Sequence, residues 1–342
     1  MRSSASRKGR WVDHRPFVLF VESANLLLSA LFHVKHPAQG AESILDHAIC
    51  DYEGTSYRAR FWDGQGRDYE DLAERIALSK LLPPNGRRIV EIGAGFGRLA
   101  DLYAGYEQVI LLDYAVSGLR EAQERLGASG RFIYVAADLY RLPLAPGTCD
   151  TAVTVRVLHH VEDVPAALRS IANVLRPGGT YVLEYANKRN LKAVARYLLR
   201  RQTWSPYTPE PYEFVRLNFD FHPKWMNQEL ERAGFTVDAG KAVSHFRYPF
   251  AKRIVPPRSL AAADGLFQDV GAAWKLSPSI FLRTHTAGAA TAAEGGLFYC
   301  PVCHNLDLKQ DHEALICPGC GAAWSTVDGI YDFKSPLNRG GS

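Results

Sequence analysis

Between Arg87 and Glu184 the chain alternates short β-rich runs with helix-forming ones, and this alternation restricts its fold more than any other feature. Arg88–Ile92, Gln108–Asp113, Phe132–Ala137, Thr151–Val155 and Thr180–Glu184 have the length and composition of strands. Helical stretches fall between them at Arg98–Tyr106, Ser117–Leu126 and Val164–Leu175, and Arg176-Pro-Gly-Gly179 turns the chain into the fifth strand. Strands that are apolar along their length and joined through helices make a parallel sheet covered on both faces. Tyr69–Leu82 reads as an amphipathic helix before this core. Trp225–Ala233 reads as a helix closed by Gly234, and Phe235–Asp238 and Ser279–Arg283 supply two more strands. The expected fold is α/β, a doubly wound sheet of seven strands.

Charge and cysteine placement divide the remainder. Residues 1–15 carry five cations against the single acid Asp13, so the whole net charge of +4 sits in that tail and the body is neutral. A neutral body lacks the broad positive face that non-specific nucleic-acid binding needs, and a short basic end is ordinarily solvated. Pro16–Phe32 is the most apolar stretch, but it contains Glu22 and Asn25 and falls short of the roughly 20 apolar residues of a spanning helix. With no small-residue cleavage site after it, the segment reads as packed or substrate-covering in a cytoplasmic protein. The expected divisions are a tail and apolar segment over 1–45 and a main domain over 46–285. A linker comes next over 286–297, then a cysteine-bearing module over 298–335. An insertion rich in arginine, proline and aromatics interrupts the main domain at about 187–223.

The densest local signal is Val90-Glu-Ile-Gly-Ala-Gly-Phe-Gly97, where a strand must turn sharply into a helix. Glycine permits that turn and lets a ligand approach the backbone without a Cβ in the way. The spacing Gly93-x-Gly95-x-Gly97 differs from the dinucleotide pattern, whose last glycine position is taken by Arg98. A bulky side chain there disfavours close packing around a pyrophosphate, which places a nicotinamide oxidoreductase last among the candidate functions.

From about Tyr69 to Arg283 the chain resembles the class I S-adenosylmethionine-dependent methyltransferases, in the small-molecule-like branch that includes quinone methyltransferases. Glu91–Gly97 is similar to that family's first motif and Asp113 to its ribose-binding acid; a carboxylate suits two hydroxyls because each oxygen can accept one. Asp138 matches the acid near the adenine amino group, with Leu139 beside the ring. Val157–Asp163 matches the segment after the fourth strand, and Arg176–Gly179 the turn before the fifth. The resemblance implies a Rossmann-like sheet and cofactor contacts from Glu91, Gly93, Ala94, Gly95, Gly97, Asp113, Tyr114, Asp138, Leu139 and Arg156. Blander roles stand beside these: Asp113 could cap a helix, and Asp138 could simply open a turn.

Methyl transfer needs a nucleophile held in line with the sulfur–methyl bond, and a base where the acceptor must lose a proton. His159 and His160 are the candidate bases, with the alternative that one is a buried histidine and the other a surface one. Tyr57, Phe61, Trp62 and Tyr69 lie where this family places a lid, and Tyr57 or Tyr69 could be its cofactor-side tyrosine. Trp204, Tyr207, Tyr212, Phe214, Phe219, Phe221 and Trp225 either wall a planar, apolar acceptor or form a satellite core.

Of six cysteines, Cys50 and Cys149 stand apart while four crowd into residues 300–320. Cys300-Pro-Val-Cys303 and Cys317-Pro-Gly-Cys320, 13 residues apart, have the spacing of a closed four-thiolate zinc site, structural because no ligand position stays open. Gly321 lets the backbone turn toward the second pair of sulfurs. Cys300–Phe333 resembles the short zinc-ribbon proteins that bind and activate partner methyltransferases, which implies that the ribbon acts on the main domain of its own chain. Its acidic balance argues against nucleic acid as its ligand. The expected activity is methylation of a small molecule. RNA or protein methylation and a non-catalytic binder are the rivals. Thr154-Val-Arg-Val157 stands where nucleobase and amide methyltransferases often carry Asn-Pro-Pro-Tyr, which counts against a nitrogen acceptor of that kind.

Overall fold

The computed structural model describes residues 33–35, 47–55, 58, 62–286 and 296–337. The tail, the apolar stretch 16–32, Tyr57, Phe61 and most of the linker lie outside these residues.

Seven strands make the central sheet: β3 (Gly86–Ile92), β4 (Tyr106–Asp113), β5 (Phe132–Ala136), β6 (Cys149–Thr154), β7 (Leu175–Ala186), β10 (Phe235–Val243) and β11 (Ser279–Thr286). Their spatial order is β10-β11-β7-β6-β3-β4-β5. β3 through β7 run parallel and β11 antiparallel to both its neighbours. The parallel strands are buried over runs such as Ile89–Ile92, Val109–Leu112 and Tyr181–Tyr185, which only helices on both faces can achieve. The Arg176–Gly179 turn falls within the limits of β7, as an irregularity between Cys149↔Leu175 and Thr151↔Thr180.

Four helices pack the faces as expected: α1 (Asp68–Leu81), α2 (Val116–Leu126), α3 (Val164–Val174) and, from the insertion onward, α5 (Pro223–Arg232), after α4 (Leu191–Leu198). α1 buries Ala73, Ala77, Leu78 and Leu81 at helical spacing and holds Asp68, Glu70 and Asp71 in its first turn, where the helix dipole favours acids. α5 ends at Gly234, whose φ of 84° is open to glycine. Two elements depart from expectation. The helix foreseen over Arg98–Tyr106 is a single 3₁₀ turn, Ala100–Tyr103. The chain is committed to β4 from Tyr106, and a Cβ at Gly105 would lie 2.0 Å from the Pro84 carbonyl oxygen, so the strand begins at once. Between β10 and β11 stand α6 (Pro249–Ile254) and the 18-residue α7 (Pro257–Trp274), which the sequence pattern did not announce. The insertion adds a small hairpin, β8 (Tyr212–Val215) with β9 (Asn218–Asp220). Ahead of the core, β1 (His33–Lys35) pairs with β2 (Ile49–Asp51).

The cysteine segment folds as β12 (Lys309–Asp311), β13 (Ala314–Ile316), β14 (Ala323–Ser325) and β15 (Ile330–Asp332). β15 lies parallel to β5, in register Ile330↔Tyr134 to Asp332↔Ala136, so the sheet continues into this segment. Phe298, Cys300, Cys317, Trp324 and Phe333 are buried with Leu142, Leu144 and Val161 in one apolar cluster.

Candidate functional site

A cleft opens at the carboxyl ends of β3, β4 and β6, with an empty volume, open mouth included, of ≈ 1240 Å³. Ligands of open α/β sheets bind at this edge. Its floor is the loop after β3. Gly93 and Ala94 donate their N–H groups to the Leu112 carbonyl at 2.8 and 3.0 Å, which folds the loop back over β4. Gly93 has φ +75°, and a Cβ there would come within 2.2 Å of Val157 Cγ2; both conditions demand glycine. Gly97 does not line the cleft. A Cβ on it would press on Leu126, Leu111 and Ala122 at 3.1–3.3 Å, so it lets α2 approach the sheet.

Of the residues expected at the site, Glu91, Gly93, Ala94, Gly95, Asp113, Tyr114, Asp138, Leu139, Arg156 and His160 line this one cleft. Asp113 receives the Gly95 N–H on Oδ2 at 2.7 Å and the Ala115 N–H on Oδ1 at 2.9 Å, tying the glycine loop to the start of α2. Burial pushes its pKa up, while the backbone donors of Ala115, Gly95 and Tyr114 pull the other way. Asp138 accepts the Tyr140 N–H at 2.9 Å and so opens a 3₁₀ turn, Leu139–Arg141, while also facing the cleft. Glu91 is buried, and its Oε2 has no hydrogen-bond partner among the described residues. Desolvation lifts its pKa to about 8.

The two histidines separate. His160 lines the cleft and His159 does not. The Nδ1 of His160 stands 2.9 Å from the Leu217 carbonyl, which can only accept, so Nδ1 carries the proton. That leaves Nε2 to accept the Tyr52 hydroxyl at 3.2 Å. Burial lowers the pKa of both rings, and for His159 the neighbouring His160 lowers it further. His160 is therefore neutral near pH 7 with a lone pair on Nε2.

Sequence reasoning missed the charged frame behind the cleft. Glu74 of α1 is buried between two guanidiniums, bonded to Arg98 at 2.8 Å and to Arg156. Desolvation opposes its ionisation, but Arg156 and Arg98 outweigh it and hold its pKa low. Arg98 also reaches Asp71 and lies 4.0 Å from the centre of the Trp62 ring. Arg156, with φ +60°, donates its N–H to Glu184 at 3.0 Å. The segment before α1 forms part of the wall through Ile49, Cys50, Tyr52, Thr55, Arg58 and Trp62. Glu53 anchors it on the N-terminus of α2, accepting the Val116 and Ser117 N–H groups. Burial raises the Cys50 thiol to about 11 and Cys149 to about 12, so neither is a thiolate nucleophile near neutrality.

The aromatic alternatives fall out separately. Tyr69 is buried beneath α7, donating its hydroxyl to Asp264 at 3.1 Å and accepting the Phe246 N–H, so it is not at the cleft. None of the insertion aromatics lines the cleft either. They stack on one another, Trp204 on Tyr212 at 4.5 Å and Phe221 on Trp225 at 5.3 Å, as a satellite cluster does. Beyond β5, the four sulfurs of Cys300, Cys303, Cys317 and Cys320 lie within 4.8 Å of one another. His304 and Gly321, one residue past each pair, both take left-handed backbone, and Cys300 and Cys317 accept their N–H groups at 2.8 Å.

Residues 90–183 match the family described as a methyltransferase domain. An O-methyltransferase of Pyrenophora dematioidea is 35% identical over 129 residues, 34% of this chain and 48% of that protein, so the chain spans under half of that relative. The ubiquinone/menaquinone biosynthesis C-methyltransferase UbiE of Pseudomonas syringae pv. tomato is 30% identical over 184 residues, 49% of this chain and 70% of its own length. Among solved structures, an S-adenosylmethionine-dependent methyltransferase from Mesorhizobium loti aligns with TM-score 0.46 and 23% identity over 64% of this chain and 99% of its own. On the identity shared with UbiE across most of that enzyme, the chain belongs to the S-adenosylmethionine-dependent methyltransferases.

Proposed function

We propose that this methyltransferase methylates a small, aromatic or apolar acceptor in the cleft at the strand ends. The observation that carries the reading is the composition of the cleft wall. It combines glycine-loop backbone and the carboxylates of Glu91, Asp113 and Asp138 with the apolar side chains of Ile49, Trp62, Phe96, Val157 and Val161. The unpartnered, buried Glu91 oxygen suits the cationic amino group of the cofactor's amino-acid part, and Asp113 and Asp138 suit ribose hydroxyls and the adenine amino group. S-adenosylmethionine, when bound, supplies a methyl group on a sulfonium that is already a good leaving group. The chain's part is to orient the acceptor and exclude water, which can contribute about 7–11 kcal/mol in favourable cases. Where the acceptor gives up a proton, Nε2 of His160 takes it, directly or through the Tyr52 hydroxyl. The relatives named for O-methylation and for quinone biosynthesis support a small-molecule acceptor.

The same reading assigns residues 46–285 to catalysis and residues 298–335 to a zinc ribbon in which Cys300, Cys303, Cys317 and Cys320 hold a structural Zn²⁺. The pairing of β15 with β5, and Lys334 standing 5.3 Å from the centre of the Tyr114 ring, support an internal brace for the adenine side of the cleft. The test is transfer from cofactor labelled on its methyl group into a host extract, with RNA, protein and organic-soluble fractions then separated. Label in the organic fraction supports the proposal. Label in RNA or protein overturns it.

A further inference from the structure

The long helix α7 is inverted relative to an ordinary surface helix. Its inner face carries Asp264, which accepts the Tyr69 hydroxyl and the Ser244 N–H, and Gln268, which donates to the Ala73 carbonyl at 2.9 Å. Its outer face carries Leu266, Val270 and Trp274 at i, i+4 and i+8, which are 79%, 62% and 68% exposed. Single exposed apolar residues need no explanation, but a stripe at helical spacing does. The stripe has neighbours. α6 precedes it directly and exposes Phe250 and Ile254. α4 begins where α7 ends: Leu191 N–H donates to the Leu276 carbonyl at 2.8 Å and Arg189 to the Trp274 carbonyl. α4 and the residue after it expose Leu198 and Leu199.

Apart from Asp269, which pairs with Lys80 and Lys241, the charge around these apolar side chains is positive. Residues 189–209 contain five cations and no acid, and residues 239–263 likewise contain five cations and no acid. No ion pair among the described residues engages Lys192, Arg196, Arg200, Arg201, Arg253 or Arg258. A soluble protein partner of mixed charge does not select for such uniformity. Apolar side chains interleaved with unpaired cations are what an anionic lipid surface binds, by apolar insertion and by attraction to its headgroups. No described helix is long and apolar enough to cross a membrane, so the contact is with the interface.

We propose that the adjoining outer faces of α4, α6 and α7 form an interfacial surface that seats this protein on an anionic bilayer. α4 leaves β7, and α6 follows β10, at the carboxyl edge of the sheet where the cleft opens. An apolar acceptor dissolved in the bilayer would then lie on the side of the molecule that carries the cleft mouth. The surface goes beyond the transfer reading, because attachment is measured without any methyl transfer.

The test is co-sedimentation of the full chain with phosphatidylcholine vesicles, with and without phosphatidylglycerol. The chain is expected to bind the phosphatidylglycerol vesicles at least about tenfold more tightly, with the difference shrinking as salt rises. Leu266→Asp/Val270→Asp on α7 and Arg196→Glu/Arg200→Glu on α4 should each weaken binding by about tenfold or more. These side chains are exposed, so melting temperature and cofactor affinity should stay at wild-type values. Equal retention on both vesicle types overturns the proposal. So does wild-type binding by both double variants, which would assign attachment to residues 1–32, and so does a lipid-independent dimer that either variant dissociates.

Discussion

The cleft opens at the middle strands of one continuous sheet and the cysteine segment extends that sheet beyond β5, and the two hold their polar groups together in opposite ways. In the cleft, charges neutralise one another across long stretches of chain: Arg98 and Arg156 enclose Glu74, and backbone donors hold Asp113. In the cysteine segment, four sulfurs from two distant pairs lie within 4.8 Å of one another. The first region draws its partners from its own side chains and backbone. In the second, the four sulfurs are close enough to share the proposed Zn²⁺. The difference teaches where each region is vulnerable: the cleft to loss of a partner, the ribbon to loss of a ligand.

The largest effect should come from the ribbon. Chelating zinc, or changing Cys300→Ser, should remove stabilisation on the order of 10 kcal/mol from the ribbon fold. Limited proteolysis would report it as new cutting within residues 296–337. Protection that survives both treatments would show that the cysteine segment holds together without a metal. Glu74→Ala removes the carboxylate that Arg98 and Arg156 share, while Arg98 keeps Asp71, and should cost about 3–5 kcal/mol in denaturant unfolding, without any dependence on metal. His160→Gln should lower turnover by about a hundredfold or more while leaving cofactor affinity intact; an equal loss of affinity would make His160 part of the cofactor site instead. The smallest effect is a pH slope. With its pKa at about 8, Glu91 is protonated in the free protein at neutral pH, and a cationic ligand group requires it ionised. Binding then releases a proton, so affinity should rise up to about tenfold per pH unit below a pH of about 8 and level off above it. Glu91→Gln should flatten the profile.

The seven strands and the glycine loop were legible because each rests on local facts, an apolar run or a turn that only glycine makes. α7 was hidden because its outward face is apolar and its inward face holds Asp264 and Gln268, so the usual amphipathic signal is reversed. The charged frame was hidden for a different reason. Arg98 and Arg156 meet Glu74 across 24 and 82 residues, and no local pattern encodes such a meeting. Choosing between His159 and His160 needed the carbonyl of Leu217, which arrives 57 residues later in the chain. The four cysteines carried their own spacing, so their gathering could be read; the pairing of β15 with β5 could not.

We place the cofactor of a working methyltransferase on the glycine loop, which Asp113 holds. Titration calorimetry of S-adenosylmethionine into the wild-type chain and Asp113→Ala tests it most directly. The two backbone hydrogen bonds of Asp113 are charge-assisted, so their loss should weaken binding by about tenfold to a hundredfold with the fold intact. Unchanged affinity in a folded Asp113→Ala chain would contradict the account and place the cofactor elsewhere.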